Sequence, residues 1–188
     1  MSVLEEEIFE ASPADAPAFV PSPVAEDAIH AFAGDPLSEV MRLILIESSR
    51  GEGKTSAGVI AHLVLADTLI RAGLAARLPY ITAVVRDTHV NLLRTTIPTF
   101  RELGRMGLPL RIVGQGDEAV IEQDGLETNR FVFFGLDRPA DADRLQGFTC
   151  GSLWIEEAAP AADFSGGVAP EALGIGATSV RQPGVPPR

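Results

Sequence analysis

Ser48-Ser49-Arg50-Gly51-Glu52-Gly53-Lys54-Thr55 is the stretch that decides how this 188-residue chain is read. Of its 15 lysine and arginine side chains, Lys54 is the one lysine. Guanidinium is a broad planar fork, whereas an ammonium is a compact point charge on a thin stem. A loop of backbone amides wrapped around phosphates needs the compact group, which threads between the amides to reach the β- and γ-phosphates. Upstream, Arg42-Leu43-Ile44-Leu45-Ile46 is a continuous apolar run with the character of a buried parallel strand. Downstream, a helix is predicted from Lys54 to about Ala72, with Val59, Leu63, Ala66 and Ile70 at helical spacing and Gly73 as its C′ stop. Strand, glycine-bearing loop and helix in that order are the context a phosphate-binding loop requires.

Within that loop the residues divide by chemistry. Gly51 and Gly53 let backbone N–H groups turn inward on the phosphates. Thr55 offers its hydroxyl to Mg²⁺. Ser48 stands where the usual pattern has its first glycine, and Glu52 is read as pointing outward from an anion site. The nucleotide-binding set is therefore Ser48, Ser49, Arg50, Gly51, Glu52, Gly53, Lys54, Thr55 and Ser56, with ATP and Mg²⁺ as the ligands. Two roles are open to Arg50: a guanidinium stabilising charge on the γ-phosphate, as an arginine finger does, or a solvent-facing partner of Glu52.

Hydrolysis needs carboxylates at the end of a neighbouring strand, for the metal and for the attacking water. Gly151-Ser152-Leu153-Trp154-Ile155 reads as an apolar strand that ends in Glu156-Glu157, about 100 residues after the loop. Glu156 takes the metal position, holding Mg²⁺ through water. Glu157 takes the role of general base. The catalytic assignment is thus Glu157 with Lys54 and Arg50, and the metal assignment Thr55 with Glu156.

The bulk composition suits such a domain. The length allows one domain with a real core, and 46% hydrophobic residues argue for a globular chain. No apolar run reaches the ~20 residues of a membrane span, and the acidic start Met1-Ser2-Val3-Leu4-Glu5-Glu6-Glu7 lacks a signal peptide's basic region. The single cysteine, Cys150, excludes an intrachain disulfide framework and is read as a small core residue beside a strand. A net charge of −11 argues against nonspecific nucleic-acid binding over a broad face. His30, His62 and His89 have no metal-ligand spacing and are read as packing residues.

Along the chain, 1–20 is an acidic Pro/Ala-rich arm expected to be mobile, and 21–188 the folded domain, with 21–40 an ordered lead-in. Tyr80-Ile81-Thr82-Ala83-Val84-Val85 is the second strand. Arg86-Asp87-Thr88 ends it and caps a helix to about Leu103 that Pro98 kinks or splits. Strands follow at Leu110–Val113, Ala119–Ile121 and Arg130–Phe134, with Gln123-Asp124-Gly125 a hairpin turn between the last two. A short helix falls near 140–146, and 158–188 is rich in Ala, Gly and Pro. Strands alternating with helices predict an α/β fold: three layers around a mostly parallel central sheet, of the additional-strand, RecA-like P-loop type.

Four stretches together resemble the N-terminal ATPase domain of the large terminase subunit of tailed phages, a DNA-packaging motor. They are the 48–55 loop with arginine at position 50; Val85-Arg86-Asp87-Thr88 with Leu93-Arg94-Thr95-Thr96-Ile97-Pro98-Thr99-Phe100; Phe134-Gly135-Leu136-Asp137-Arg138-Pro139; and Leu153-Trp154-Ile155-Glu156-Glu157-Ala158. Phe19-Val20-Pro21-Ser22-Pro23 is similar to the lead-in of some members, so the likeness spans about 19–160. The resemblance implies an ATP-hydrolysing motor for packaging double-stranded DNA into procapsids. It implies a homo-oligomeric ring, portal and small-terminase partners, no membrane, and the cytoplasm of a bacterial host. Family members continue into a nuclease domain with no counterpart in these 188 residues, so slow ATP turnover and no DNA cleavage are expected of this chain alone. The other readings are a helicase-type P-loop ATPase and a nucleotide- or partner-binding remnant without turnover. No residue for adenine recognition is assigned.

Overall fold

The computed structural model describes residues 53–73, 78–136, 139–157, 167, 168 and 170–182, together with Pro23, Glu26, Asp27, His30 and Ala31, which are helical and exposed. The predicted arm at 1–20, the strand at 42–46 and loop residues Ser48 to Glu52 lie outside the described residues, as does 158–166.

The described strands are β1 (Tyr80–Arg86), β2 (Leu110–Val113), β3 (Glu118–Gln123), β4 (Leu126–Gly135) and β5 (Ser152–Ile155), in the order β2-β3-β4-β1-β5. β1 pairs in parallel with both β4 and β5, while β3 pairs antiparallel with β2 and β4. The result is a mixed sheet, parallel at its centre, with an antiparallel meander on one side. Asp124 (φ +53°) and Gly125 (φ +75°) make the predicted tight turn between β3 and β4.

Helix α1 (Lys54–Arg71) packs on one face, with α2 (His89–Asn91), a π-helical turn (Leu92–Thr96) and α3 (Ile97–Arg105). Because side chains alternate across a strand, Val84 of β1, Phe131 and Phe133 of β4 and Trp154 of β5 all meet this helical layer. Phe100 of α3 is fully buried among them, its ring 5.1 Å from Phe131 and 5.0 Å from Phe133 in edge-to-face contact. Burying one such ring contributes ~1.5–3 kcal/mol. On the opposite face Ala83, Val85 and Phe134 pack with Leu145 of α4 (Asp143–Gln146) and Ala172 of α5 (Pro170–Ala177). These are the three layers expected from the alternation of elements.

Several local readings need adjustment. Val59 and Ala66 of α1 are buried as predicted, but Leu63 and Ile70 are half-buried and line an open cavity of about 230 Å³. The buried stripe also takes in Ala57, Ala61, Leu65 and Leu69; the helix is apolar around so much of its circumference that periodicity did not fix which arc faces inward. Pro98 does split its helix. It lacks the N–H that would bond Arg94 in α-helical register, and the chain accommodates this with the π turn, where Ile97 N–H donates to Leu92. Helix α5 was hidden in an Ala/Gly-rich segment. It packs closely through Gly176, where a Cβ would come within 2.7 Å of Leu153.

Candidate functional site

Parallel strands β1 and β5 end side by side, Val85 opposite Ile155. The next residue of each chain carries a charge. Arg86 closes β1, and Glu156 follows β5 with its N–H bonded to Val85 O at 2.9 Å. In α/β sheets the crevice beyond the carboxyl ends of strands is where ligands bind.

Helix α1 starts at this same edge. Gly53 is its N-cap, with φ +72° and ψ +24° in the left-handed region that favours glycine, and Ala57 N–H closes the first turn onto Gly53 O at 2.8 Å. The first turn carries no acidic side chain. The positive end of the helix dipole favours an anion there. Thr55, one residue after Lys54, donates its hydroxyl to Glu156 Oε1, joining positions 101 residues apart. The close seating of α1 over β5 depends on Gly58, where a Cβ would fall 2.4 Å from the Trp154 ring.

The other oxygen of Glu156 has two partners. Thr96, fully buried in the π turn, donates its hydroxyl to Oε2. Arg86 Nη1 lies 3.1 Å from Oε2 and 3.2 Å from the Thr96 hydroxyl. Arg86 Nη2 reaches Glu157 Oε2 at 2.6 Å, and Asp87 Oδ1 stands 3.7 Å from Arg86 Nε. Asp87 is itself held by Asn91 Nδ2 at 2.9 and 2.8 Å. One buried guanidinium therefore faces three carboxylates.

The two glutamates differ sharply in setting. The side chain of Glu156 is 10% exposed and that of Glu157 60%. Glu157 has φ +56°, a left-handed conformation uncommon for a residue with a side chain. Its carbonyl accepts Val168 N–H at 2.9 Å.

Of the residues assigned from sequence, the structure brings Thr55 against Glu156 and places Gly53 and Lys54 at the start of the same helix, with Glu157 alongside. Ser48, Ser49, Arg50, Gly51 and Glu52 are outside the described residues, so the two roles of Arg50 stay open. Sequence reasoning gave no site role to Arg86 or Thr96. A charged residue closing an apolar strand, and a threonine two residues before a helical proline, were the available signals.

Of the other titratable candidates, His30 is exposed and His89 half-buried, while His62 and Cys150 are core residues. His62 is buried, stacked on Trp154 at 5.5 Å with Nδ1 2.7 Å from Gly58 O, and burial lowers its pKa to about 4 despite the opposing effect of that hydrogen bond. Cys150 is buried beside β5 and its thiol is pushed up to about 12 by desolvation. Among the described residues no cluster of His, Cys, Asp and Glu forms a self-contained metal site. Nor is any helix among them long and apolar enough to cross a membrane.

Comparison with known proteins bears on fold. No family model matches the sequence, and no curated protein matches it. Among solved structures, the large terminase of the thermophilic bacteriophage D6E is similar, with a TM-score of 0.56 at 16% identity. The match covers 88% of this chain and 37% of the D6E chain. At that identity the likeness is one of fold: this chain has the α/β architecture of a region of a phage large terminase, of which it spans little more than a third.

Proposed function

We propose that this chain is the ATP-hydrolysing motor region of a phage large terminase, acting in DNA packaging. The observation that carries the reading is the contact between Thr55 and Glu156. It joins the helix that follows the glycine-lysine loop to a strand end bearing two adjacent glutamates. A hydroxyl and a carboxylate in direct contact are the hard oxygen donors that Mg²⁺ takes in a nucleotide site, and the terminase-like fold agrees with the assignment.

Bound Mg²⁺ would neutralise charge on the β- and γ-phosphates, and Thr55 and Glu156 are the residues here that would hold it. Lys54 and the N–H groups of the first turn of α1 would bind the phosphates. Glu157 would take the proton of the lytic water, a task suited to a carboxylate with room to move. Arg50 would add charge stabilisation if it turns inward. Double-stranded DNA is the proposed substrate of the motor, with a procapsid portal, a small terminase subunit and further copies of this chain as partners in the bacterial cytoplasm. With a net charge of −11, the isolated chain should hold DNA weakly.

The test is ATP turnover by the purified chain, alone and with DNA and procapsids. Turnover that is slow alone and stimulated by DNA and procapsids together supports the reading. Stimulation by single-stranded nucleic acid alone would favour a helicase-type motor, and nucleotide binding without turnover under every condition would favour a non-catalytic module.

A further inference from the structure

Asn129 is a polar residue on an apolar face of the sheet. Strand alternation puts it on the same side of β4 as Phe131 and Phe133, toward the helical layer. The register of β3 and β4 sets it opposite the buried Ile121. It is 4% exposed, and its Nδ2 has no hydrogen-bond partner among the described residues. Buried amide donors are ordinarily bonded, because an unmet one costs stability. Asn129 also lines the open cavity of about 230 Å³, which is bounded by α1, by Leu108-Pro109 after α3, and by β3 and β4.

The lining decides what would fit. Leu63, Val64, Ile70 and Ile121 make it mostly apolar. Two polar neighbours are already engaged: the Thr128 hydroxyl donates to Ile121 O at 3.4 Å, and Asp67 pairs with Arg71 at 2.8 Å. An apolar cavity of about 150 Å³ takes up benzene, so this one has room for a single ring with a small substituent. The buried donor calls for one acceptor on that substituent, and the Asp67 carboxylate in the same lining disfavours an anionic one. The cavity is also remote from the glutamates. Asn129 lies opposite Tyr80, the first residue of β1, whereas Arg86 is the last; that length of strand spans about 20 Å.

We infer that this cavity is a second binding site, at the opposite end of β1 from Arg86, for a small uncharged ring compound bearing a carbonyl, with Asn129 Nδ2 donating to that carbonyl. The apolar walls supply affinity for the ring, and the amide selects for the acceptor. The inference does not depend on the Mg·ATP reading, because none of the residues lining the cavity belongs to the proposed nucleotide site.

The test is an NMR titration of the full chain with two probes: acetophenone, a ring with a ketone, and toluene, the matching ring without an acceptor. Acetophenone should bind with a Kd of about 1 mM or tighter, at least about five-fold tighter than toluene. It should move the side-chain NH2 signals of Asn129 together with the backbone signals of Leu63 and Ile121. Asn129→Leu, close in volume and without the amide, should bring the two affinities within about two-fold of each other and leave the urea midpoint unchanged or higher. Equal affinities for the two probes in the wild-type chain, no acetophenone binding at about 10 mM, or shifts confined to the Lys54-Thr55 end of α1 would each overturn the inference. So would a marked loss of stability in Asn129→Leu, which would show that the amide is already satisfied within the fold; the comparison of probes on the wild-type chain decides the matter without that variant.

Discussion

Replacing Glu156 and Glu157 separately by alanine should give very different losses of stability. Both are glutamates at the end of β5 and both pair with Arg86. Glu156 is buried, accepts two hydroxyls and lies 3.1 Å from the guanidinium. Removing one partner of a buried ion pair costs ~3–5 kcal/mol, because the other charge is left without compensation. Arg86 keeps Glu157 at 2.6 Å, which places Glu156→Ala toward the lower end of that range. For a domain of this size each kcal/mol moves Tm by ~2–4 °C, so a drop of ~6–12 °C is expected. Glu156→Gln keeps the shape and one acceptor oxygen and should lose less, near the ~1.5–3 kcal/mol of hydrogen bonds to charged groups. Glu157→Ala removes a carboxylate that is 60% exposed and leaves Arg86 paired with Glu156, so its loss should be smaller, near the ~0.2–1 kcal/mol of solvent-screened pairs. Urea denaturation of the four proteins under one set of conditions measures all three differences. Equal losses for the two alanine variants, or an unchanged midpoint for Glu156→Ala, would refute the view that Glu156 is the buried anchor of the site.

Four further outcomes follow from the same geometry. Lys54→Ala should weaken Mg·ATP binding by an order of magnitude or more, on the ~1.5–3 kcal/mol of a hydrogen bond to a charged group; calorimetry reads it directly. Glu157→Gln should bind nucleotide normally and turn it over ~10²-fold more slowly, since a general base acts mainly in the transition state. His62 is neutral in the fold, with its pKa lowered to about 4, so the unfolded chain takes up its proton first as pH falls through about 6.5. Its contribution should be fully present above that pH and decline by up to ~3 kcal/mol toward pH 4, a slope that His62→Phe should reduce in denaturation curves across that window. Gly58→Ala should cost ~1–3 kcal/mol through its clash with Trp154, and because Trp154 is the one tryptophan, its fluorescence should report the displaced ring.

What the sequence disclosed and what it withheld divide along physical lines. The limits of β1, the hairpin turn at Asp124-Gly125 and the helix after Gly53 rest on local signals: apolar runs, turn residues and a glycine at each end of α1. The meeting of Thr55 with Glu156 was legible because the sequence marks both a helix opening at Lys54-Thr55 and an apolar strand ending in acids. Arg86 and Thr96 were not, because their roles depend on register. Arg86 reaches the glutamates only because Val85 lies opposite Ile155. Thr96 meets Glu156 from within a π turn that Pro98 helps to create but does not locate by itself. The inward arc of α1 was missed for the opposite reason, an excess of apolar residues. Helix α5 was missed because its alanines and glycines carry little periodic signal, although Gly176 is what lets it approach Leu153.

The most direct measurement is a calorimetric titration of the purified 188-residue chain with ATP, once with Mg²⁺ and once with the metal chelated. One ATP per chain is expected with Mg²⁺, and markedly weaker binding without it, since Thr55 and Glu156 contribute through the metal. Absence of binding at millimolar ATP, or equal affinity with and without Mg²⁺, would contradict the assignment of this strand edge as a Mg·ATP site.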